Sequence, residues 1–428
     1  MNTIKIGLIG LGTVGTGVLQ MVMNNQDKVS NITGQNLSVK TIVVHDVNKP
    51  RNVDTGDITV TDDLSAIIDD PEIKIVVEVK GGVHPAKEII SKLLNAKRHV
   101  VTANKDLIAS AGEELAAIAR ENHCDLMYEA SVAGGIPILR TIVNSFSADN
   151  IIEVKGIVNG TTNYILTQMQ QHHWKYEDAL KKAQELGFAE SDPTNDVAGI
   201  DAAYKMIILS QFSFGTHITM DDMAVEGIQN IQLSDVKQAA AFGYTIKLLG
   251  IARRINGGVF AEVGPVLVPL DHPLATINNE NNAVMVTGQA VGDTLFYGPG
   301  AGGLPTANSV LSDIVSVTKN IVLKTTGNSF NNFQAEVSSA AASEVVYPYY
   351  LALKMPDVPG EMLKVTKIMT DIKASFSQII QTKNPDQTAR VVIITHNMSK
   401  EQLAQLTERL RQTQTIELLA AYKVMDKG

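Results

Sequence analysis

The chain has 428 residues, a formal net charge of −9 at pH 7 and one cysteine, Cys124. At about 150 residues per domain this length predicts two to four domains, and the acidic balance argues against a nucleic-acid partner. One cysteine excludes a disulfide framework, the start shows no signal peptide, and no apolar run is long enough to cross a membrane. We therefore expect a cytoplasmic protein that binds neither nucleic acid nor membrane.

A glycine-rich motif follows the first predicted strand, Thr3–Ile9, and opens a helix. In this context G-x-G-x-x-G is typical of dinucleotide binding. Its first glycine allows a tight turn, its second lets the backbone approach a pyrophosphate, and its third permits close packing of helix on strand. The alternative is a tight turn that binds no phosphate. The predicted cofactor contacts are Gly10, Leu11, Gly12, Thr13, Val14 and Gly15.

The end of the second predicted strand, Leu37–His45, bears on the choice of cofactor. An acidic residue there suits the ribose of NAD, whereas a basic residue suits the 2′-phosphate of NADP. Asp46 favours NAD, and Lys49 and Arg51 favour NADP. We expect NADP, with NAD as the alternative.

Strands and helices then alternate. Strands are predicted over residues 73–79, 99–102 and 125–128, and helices over 85–96 and 107–121. This pattern predicts an α/β domain, a Rossmann-type doubly wound parallel sheet, over residues 1–130, completed by residues 305–325. Ligands of such sheets lie beyond the carboxyl ends of the strands, where Glu78, Lys105 and Glu129 fall. Lys105 is a candidate for function, and a solvated loop lysine is the alternative.

Residues 131–304 form a predicted α+β domain for substrate binding and dimerisation. Strands are predicted over 151–158, 258–268 and 283–290, and helices near 163–171, 176–187, 199–212 and 235–253. The Gly-Gly-Ile-Pro turn at 134–137 aims carbonyls in one direction, which suits either a small cation or a hydrogen-bonded turn. The Gly-Thr-Thr turn at Gly160 has donors that suit a carboxylate, although ordinary helix capping explains it as well.

A stretch over Gly187–Lys205 has the character of a reaction centre. Its acidic loop runs into an apolar helix in which Lys205 is the only charged residue between positions 202 and 220. Asp201 and Lys205 stand four residues apart, so they share one side of that helix. A half-buried lysine beside a carboxylate suits a proton shuttle, and the alternative is an ordinary helix salt bridge.

The last third of the chain contains a glycine cluster, a polar segment and a small module. The cluster at 298–306 predicts a loop against the cofactor or a flexible turn. Residues 326–346 are small and polar, which predicts a linker. The tail, residues 347–428, predicts a compact βαββαβ module.

These motifs together carry a resemblance. GLGTVG, VTANKDLIA, YEASVAGGIPIL, NGTTNYIL, LGFAESDPTNDVAGIDAAYK and YGPGAGGLPT occur in the order found in homoserine dehydrogenase, over nearly all of residues 1–325. The run YYLALKMPDVPGEMLKV resembles an ACT domain, a small amino-acid-sensing module. Because no kinase segment precedes the motifs, the resemblance is to the monofunctional form.

The resemblance implies reversible, nicotinamide-dependent interconversion of L-homoserine and L-aspartate 4-semialdehyde. It implies that Glu190 receives the substrate ammonium, that Asp201 binds or orders substrate and water, and that Lys205 is the general acid/base. Lys105 would contact substrate and share the proton transfer, and Thr161 lies in the substrate-binding turn. We expect the two lysines to lower each other's pKa.

The resemblance also implies a sodium-like site built from main-chain carbonyls of Glu129, Val132, Gly134 and Ile136. Further cofactor contacts are implied for Thr102, Lys105, Gly187, Gly300 and Gly302. We expect a homodimer or homotetramer and threonine as an effector of the tail. The competing interpretations are a related amino-acid or semialdehyde dehydrogenase and a non-catalytic amino-acid sensor.

Overall fold

The computed structural model describes residues 2–51, 53–335 and 337–426. The predicted outer limits of the first and last domains, residues 1 and 428, lie outside this part of the chain. None of the helices in these ranges combines the length and the apolar character needed to span a membrane.

The first sheet is parallel. Its strands are β1 Thr3–Ile9, β2 Asn36–Val43, β3 Thr59–Thr61, β4 Ile73–Glu78, β5 His99–Thr102 and β6 Leu126–Met127. The associated helices are α1 Thr13–Asn24, α2 Gln26–Thr33, α3 Ser65–Ile68, α4 His84–Asn95 and α5 Lys105–Glu121. The strand order β3-β2-β1-β4-β5-β6 changes direction beside β1, which confirms the predicted doubly wound arrangement. The segments after β1, β4, β5 and β6 therefore meet at one edge.

The second sheet is antiparallel through the middle of the chain, except that the short strand β8 pairs in parallel with β10. Its strands there are β7 Ile151–Ile157, β8 Ala224–Val225, β9 Tyr244–Ile255, β10 Gly258–Pro269, β11 Asn281–Gly288 and β12 Gly292–Pro299. The helices of this region are α6 Ile138–Ser145, α7 Gly160–His172, α8 Tyr176–Glu185, α9 Thr194–Val197, α10 Ile200–Phe214 and α11 Leu233–Ala241. The strand order is β12-β11-β7-β9-β10, with β8 beside β10. Helices α7, α10 and α11 pack against β9, so the helices that carry the site rest on this sheet.

The helix predicted over residues 235–253 is wrong in its second half. Helix α11 ends at Ala241, and Gly243 has a φ of 84°, a left-handed conformation that favours glycine. From Tyr244 the chain forms β9, which pairs with β10 along its whole length. Its isoleucines and tyrosine favour a strand once the glycine has ended the helix.

The α12 helix, Gly303–Leu323, returns to the first domain and packs against α1. A Cβ on Gly17 would come within 2.7 Å of the Gly303 carbonyl oxygen, so the two helices approach too closely for a larger residue there. The predicted linker then follows without a helix or long strand in its described residues. It is nevertheless packed: Phe330 is buried and forms edge-to-face contacts with Tyr128 and Phe212.

The tail has the predicted βαββαβ order. Its elements are β13 Val346–Tyr347, β14 Tyr349–Pro356, α13 Glu361–Asp371, β15 Phe376–Lys383, β16 Thr388–Thr395, β17 Met398–Ser399, α14 Lys400–Gln412 and β18 Glu417–Val424. Strand β18 pairs in parallel with β10, so the tail continues the second sheet as β10-β18-β14-β16-β15. The tail is therefore built into the second domain.

Buried charges reinforce this junction. Glu262 of β10 is buried and forms ion pairs with Lys423 and, at 3.8 Å, with Lys400, both from the tail. Asp235, at the start of α11, binds the guanidinium of Arg390 and accepts a hydrogen bond from the Tyr350 hydroxyl at 2.9 Å. Because ion pairs at this depth are poorly screened by water, they fix how the tail sits on β10.

Candidate active site

A cleft of about 590 Å³ lies between the edge of the parallel sheet and helices α7 and α10. It collects residues from segments far apart in the sequence. The predicted site residues that line it are Lys105, Gly134, Thr161, Gly187, Glu190, Asp201, Lys205, Gly300 and Gly302.

The start of α10 places the central acid and base. Gly199 precedes the helix with a φ of 81°, and a Cβ there would lie 3.2 Å from Cγ1 of Val263 on β10. This turn therefore needs glycine and rests directly on the sheet. Asp201, the second residue of the helix, accepts a hydrogen bond at 2.7 Å from Nζ of Lys205, which lies one turn further along. Lys205 Nζ also donates to the carbonyl oxygen of Val158 at 2.6 Å, so its ammonium is held at the cleft instead of extending into solvent.

Asp201 is the common partner of both lysines. Its Oδ1 atom lies 3.2 Å from Lys105 Nζ. Its Oδ2 atom, which binds Lys205, also accepts a hydrogen bond from Asn159 Nδ2 at 2.8 Å. Burial raises the pKa of Asp201, but the charges of Lys205 and Lys105 outweigh it and hold the pKa at about 2. The carboxylate therefore stays ionised throughout the physiological range and can orient two ammonium groups.

Lys105 is the first residue of α5. Asn104 caps that helix by accepting from the Leu107 amide at 3.2 Å, which presents Lys105 towards the second domain. Burial lowers the pKa of Lys105, but the charges of Asp201 and Asp106 and the hydrogen bond to Asp201 together outweigh burial and leave the pKa above its ordinary value. The expectation that the lysines lower each other's pKa is thus wrong for Lys105, because a carboxylate sits beside it.

The start of α7 forms the floor of the cleft. Asn159 caps the helix by accepting from the Thr162 amide, while its Nδ2 also donates to Asp196 Oδ1 at 2.8 Å. Thr161 Oγ1 donates to the Phe188 carbonyl at 2.6 Å, which ties α7 to the acidic loop. Burial raises the pKa of Asp196. This capping turn is therefore also part of the site.

Glu190 stands at the mouth of the cleft. Its side chain is exposed, whereas its carbonyl accepts from Gln184 Nε2 at 3.1 Å. The backbone of the loop is thus held while the carboxylate can turn towards a ligand. This is the freedom that a group receiving a cationic substrate end needs.

The glycine motif has the geometry that a pyrophosphate requires. Gly10 has a φ of 99°, and a Cβ on Gly15 would lie 2.1 Å from the Gly10 carbonyl oxygen. A Cβ on Gly12 would meet no atom within 4 Å, so that face of the turn is open. Helix α1 starts there without a side-chain cap, which leaves its first N–H groups available to an anion. These residues fit a dinucleotide.

The other predicted cofactor residues divide into two groups. Gly187 and Gly302 have φ values of 76° and 119° and line the cleft with Gly300, so their backbone is open to a ligand. Thr102 is different, because its buried hydroxyl donates to Glu78 Oε2 at 2.8 Å. Its side chain is therefore occupied in the sheet, and Ala103 lines the cleft instead.

The loop after β2 is exposed. The guanidinium of Arg51 donates to the carbonyl oxygens of Asp46, Val47 and Lys49 and so closes its own loop. Lys49 is exposed on the same loop. Two cations therefore lie at the end of β2, where the adenosine end of a dinucleotide is expected.

The proposed cation ligands lie in one turn between β6 and α6. Three of their carbonyl oxygens already accept one hydrogen bond each. The Gly134 carbonyl accepts from Ser309 Oγ at 2.7 Å. The Ile136 carbonyl accepts from the Ile138 amide at 2.8 Å, and the Glu129 carbonyl accepts from the Val132 amide at 3.4 Å. Since a carbonyl oxygen has two lone pairs, each keeps one for a cation. The Glu129 side chain instead accepts from the backbone amides that start α6. Neutral carbonyls of this kind fit a hard monovalent cation.

Sequence reasoning missed several polar residues of the cleft. Asn159 and Asp196 bind the Asp201 cluster, and Glu280 and Asn282 line the opposite side. Asn159 had a signal, since Asn-Gly-Thr-Thr before a helix is a capping pattern. The segment Asn278–Asn282 had none, because its asparagines resemble an ordinary polar turn.

Comparisons with known proteins agree with this geometry. The family model described as "Homoserine dehydrogenase" matches residues 137–315, and "Homoserine dehydrogenase, NAD binding domain" matches residues 10–129. The homoserine dehydrogenase of Bacillus subtilis is 44% identical over 431 residues, which cover 100% of both chains. A crystal structure of a homoserine dehydrogenase from Thiobacillus denitrificans is 35% identical with a TM-score of 0.95, covering 100% of this chain and 99% of that one.

A hyperthermophilic archaeal homoserine dehydrogenase in complex with NADPH is 26% identical with a TM-score of 0.63. It covers 74% of this chain and 98% of its own. The family models and the full-length relatives thus indicate the same family, and the glycine turn and the cluster of lysines and carboxylate are consistent with it. The chain belongs to the homoserine dehydrogenase family.

Proposed function

We propose that the chain interconverts L-homoserine and L-aspartate 4-semialdehyde in the cleft around Asp201, on the route to threonine, methionine and isoleucine. The observation that carries this is the contact of one buried carboxylate with two ammonium groups, at 2.7 Å to Lys205 and 3.2 Å to Lys105. The cluster lies between the glycine turns of the two domains. A substrate alcohol placed there meets both a proton-transfer group and a nicotinamide.

The side chains divide the work as follows. Lys205 in its neutral amine form accepts the proton of the substrate hydroxyl during oxidation, and in its ammonium form it returns a proton to the carbonyl oxygen during reduction. Lys105, whose pKa is raised, stays protonated and stabilises the negative charge that develops on that oxygen. Asp201 orients both lysines. A nicotinamide dinucleotide held by the glycine turn at Gly10–Gly15 would supply the hydride-transfer chemistry.

The charged ends of homoserine fit the remaining groups. Glu190 at the cleft mouth receives the substrate ammonium. The substrate carboxylate faces the turn at the start of α7 that contains Thr161, where the first amides of the helix provide donors. The Thr161 hydroxyl keeps its bond to the Phe188 carbonyl and so fixes the shape of this turn. Asn159 supports this arrangement by donating to Asp201, and Asp196 in turn accepts a hydrogen bond from Asn159.

The experiment is reduction of NAD or NADP by the purified chain with L-homoserine, with L-serine and L-threonine as controls. We expect homoserine-dependent reduction and little with the controls. Folded protein that reduces neither cofactor with homoserine would contradict the proposal and favour a related dehydrogenase or a sensor.

The cofactor is a nicotinamide dinucleotide, and we infer a preference for NADP. Support comes from the cations at Lys49 and Arg51, although Arg51 also closes its own loop. Lys49→Glu should shift the preference towards NAD, with Lys28→Glu on α2 as a control charge change. An unchanged ratio of kcat/KM for the two cofactors would show that Lys49 does not determine the preference for NADP.

A sodium-like cation is proposed for the carbonyl turn at Glu129, Val132, Gly134 and Ile136. Its role is structural, because the turn packs against the glycine loop of the cleft: a Cβ on Gly134 would come within 2.4 Å of the Gly300 carbonyl oxygen. Activity should then depend on sodium or potassium. Full activity after exchange into a tetramethylammonium buffer would contradict the site.

The tail is proposed to be an ACT-like domain that binds threonine. Support comes from its βαββαβ order and from a groove of about 670 Å³ beside Lys354, Arg411 and Glu417, whose charges suit the two ends of an amino acid. Inhibition of homoserine oxidation by threonine is expected. Its absence over the millimolar range would leave the tail with only a structural role.

The proposed organisation of the chain is three domains and a connecting segment. We propose a dinucleotide-binding domain over 1–130 completed by 305–325, a substrate and dimerisation domain over 131–304, a connection over 326–346 and the tail over 347–428. The separate hydrophobic cluster between the tail helices and sheet supports the last division. A cytoplasmic homodimer or homotetramer is proposed, and light scattering would test its mass.

A further inference from the structure

One wall of the cleft is a hydrogen-bonded unit made from α7 and the segment 277–282. Asn163 Nδ2 donates to the carbonyl oxygens of Ile277 and Asn281 at 3.2 and 3.1 Å. The Asn279 amide donates to Thr167 Oγ1 at 3.1 Å. A Cβ on Gly160 would lie 2.5 Å from the Glu280 carbonyl oxygen, so the start of α7 is in direct contact with this segment.

A buried lysine lies behind this wall. Lys247 of β9 is 1% exposed and its Nζ donates to Asn163 Oδ1 at 3.1 Å, to the Ile277 carbonyl at 2.5 Å and to Asn278 Oδ1 at 3.3 Å. All three acceptors are neutral. Within the described ranges, no carboxylate forms an ion pair with Lys247. The ammonium thus joins β9, α7 and the segment 277–282 without a counter-charge.

An uncompensated buried ammonium costs folding free energy. Burial lowers the pKa of Lys247 to about 8, in keeping with that cost. An apolar side chain of similar length would fill the same space without it. The Lys247 ammonium costs folding free energy and forms its hydrogen bonds with a wall of the cleft. We therefore explain its presence by the shape that it gives this wall, and not by a contribution to stability.

We propose that Lys247 is a positioning residue for substrate: its ammonium holds the segment 277–282 and the start of α7 in the arrangement that receives homoserine. This inference rests on the proposed function. The part of the cleft it shapes includes Thr161 and the α7 amides, which face the substrate carboxylate. The pyrophosphate turn belongs to the other domain, so cofactor binding should not depend on Lys247.

Lys247→Met tests this proposal, with Lys155→Met as the matched control. Lys155 lies on the neighbouring strand β7 and binds Glu153 at 2.6 Å, away from the wall. We expect Lys247→Met to raise the KM for homoserine by about tenfold or more, with kcat and NADPH affinity within about twofold of the parent. Its midpoint of thermal unfolding should stay close to that of the parent, because the removed cost of the buried charge offsets the loss of three hydrogen bonds. Lys155→Met should leave the KM unchanged.

Hydrogen exchange provides a readout that does not depend on turnover. Amides of residues 277–282 should exchange faster in Lys247→Met than in the parent, while the rest of β9 and β10 keep their protection. An unchanged KM with unchanged exchange would overturn the proposal. A lower unfolding midpoint with loss of NADPH binding would also overturn it, because Lys247 would then be a general structural support. If the parent chain did not oxidise homoserine, the proposed function would fail, and the exchange experiment would still test the wall.

Discussion

Single residues decide the chemistry of this cleft, and Asp201 is central among them. It is buried, its pKa is held at about 2, and it contacts Lys205, Lys105 and Asn159. A carboxylate that remains ionised at any working pH is a fixed negative charge, so it orients lysines instead of carrying protons. In the proposed mechanism the proton transfer therefore falls to a lysine.

Lys205→Ala should reduce kcat by about three orders of magnitude or more, because it removes the proton-transfer group. NADPH affinity should stay within about twofold, since the pyrophosphate turn is untouched. Steady-state kinetics and a fluorescence titration of NADPH measure the two effects. Lys181→Ala, on the exposed helix α8, is the control and should retain parental activity.

Asp201→Asn should also reduce kcat, because both lysines lose their fixed partner. The pKa of Lys105 should fall, since Asp201 contributes most to raising it. We therefore expect a new basic limb in the pH dependence of kcat/KM at lower pH than in the parent. Identical pH profiles for the two proteins would show that Asp201 does not control the lysines.

Lys247 provides a pH prediction for stability. Its folded pKa, about 8, is below the ordinary value of 10.5, so its cost is fully present below pH 8 and vanishes as pH rises through 10.5. Lys247→Met removes this cost and also removes three hydrogen bonds, whose loss does not depend on pH. The stability of Lys247→Met relative to the parent should therefore be more favourable near pH 7 than above pH 10.5, by at most about 3 kcal/mol. This change should occur between pH 8 and pH 10.5. Urea unfolding across that range measures it, and a difference independent of pH would argue against a charged Lys247.

At the scale of elements, the two glycine turns set the geometry of the cleft. Gly12 presents an open face to the cofactor, whereas Gly15 packs on the Gly10 carbonyl. The same motif therefore contains one glycine required by a ligand and one required by the fold. These two requirements can be separated experimentally.

Gly12→Ala should weaken NADPH binding about tenfold or more while leaving the thermal midpoint nearly unchanged, because its methyl group would occupy the space of the pyrophosphate. Gly15→Ala should lower the thermal midpoint, since its Cβ would lie 2.1 Å from a carbonyl oxygen. Calorimetry and NADPH titration distinguish the outcomes. Equal effects of the two substitutions on stability would contradict the division.

Elements were predictable where a local rule determines them. The G-x-G-x-x-G motif after β1 and the Asp201–Lys205 spacing both depend on near neighbours. The helix predicted beyond Ala241 failed because pairing with β10, a long-range contact, decides the structure of β9. Asn282 and Lys247 were likewise missed, because a lysine or asparagine in sequence gives no sign that folding will bury it.

At the scale of the whole molecule, the tail and the second domain share one sheet. In the sequence the tail resembled a separate module. In the structure, β18 of the tail pairs with β10 through only a few residues, a long-range contact that the sequence does not indicate. Buried contacts of Glu262 and Asp235 complete the junction. Fold order was therefore predictable, but the way the modules join was not.

Deletion of residues 347–428 should destabilise the remaining chain, because it uncovers the edge of β10 and leaves Glu262 and Asp235 buried without their cationic partners. A lower unfolding midpoint and concentration-dependent aggregation are the expected results. Light scattering and calorimetry would measure them. A truncated chain as stable as the parent would show that the junction is only a contact between independent units.

Two consecutive residues of strand β10 contact different parts of the molecule, the tail and the turn before α10. Glu262 binds the tail lysines, and Val263 touches Gly199, the turn that starts α10 and sets the direction of Asp201. A displacement of β18 would therefore reach the Asp201 carboxylate across a single strand, with no flexible segment between them. Should the tail bind the proposed effector, this strand is a short mechanical path from the effector to the cleft.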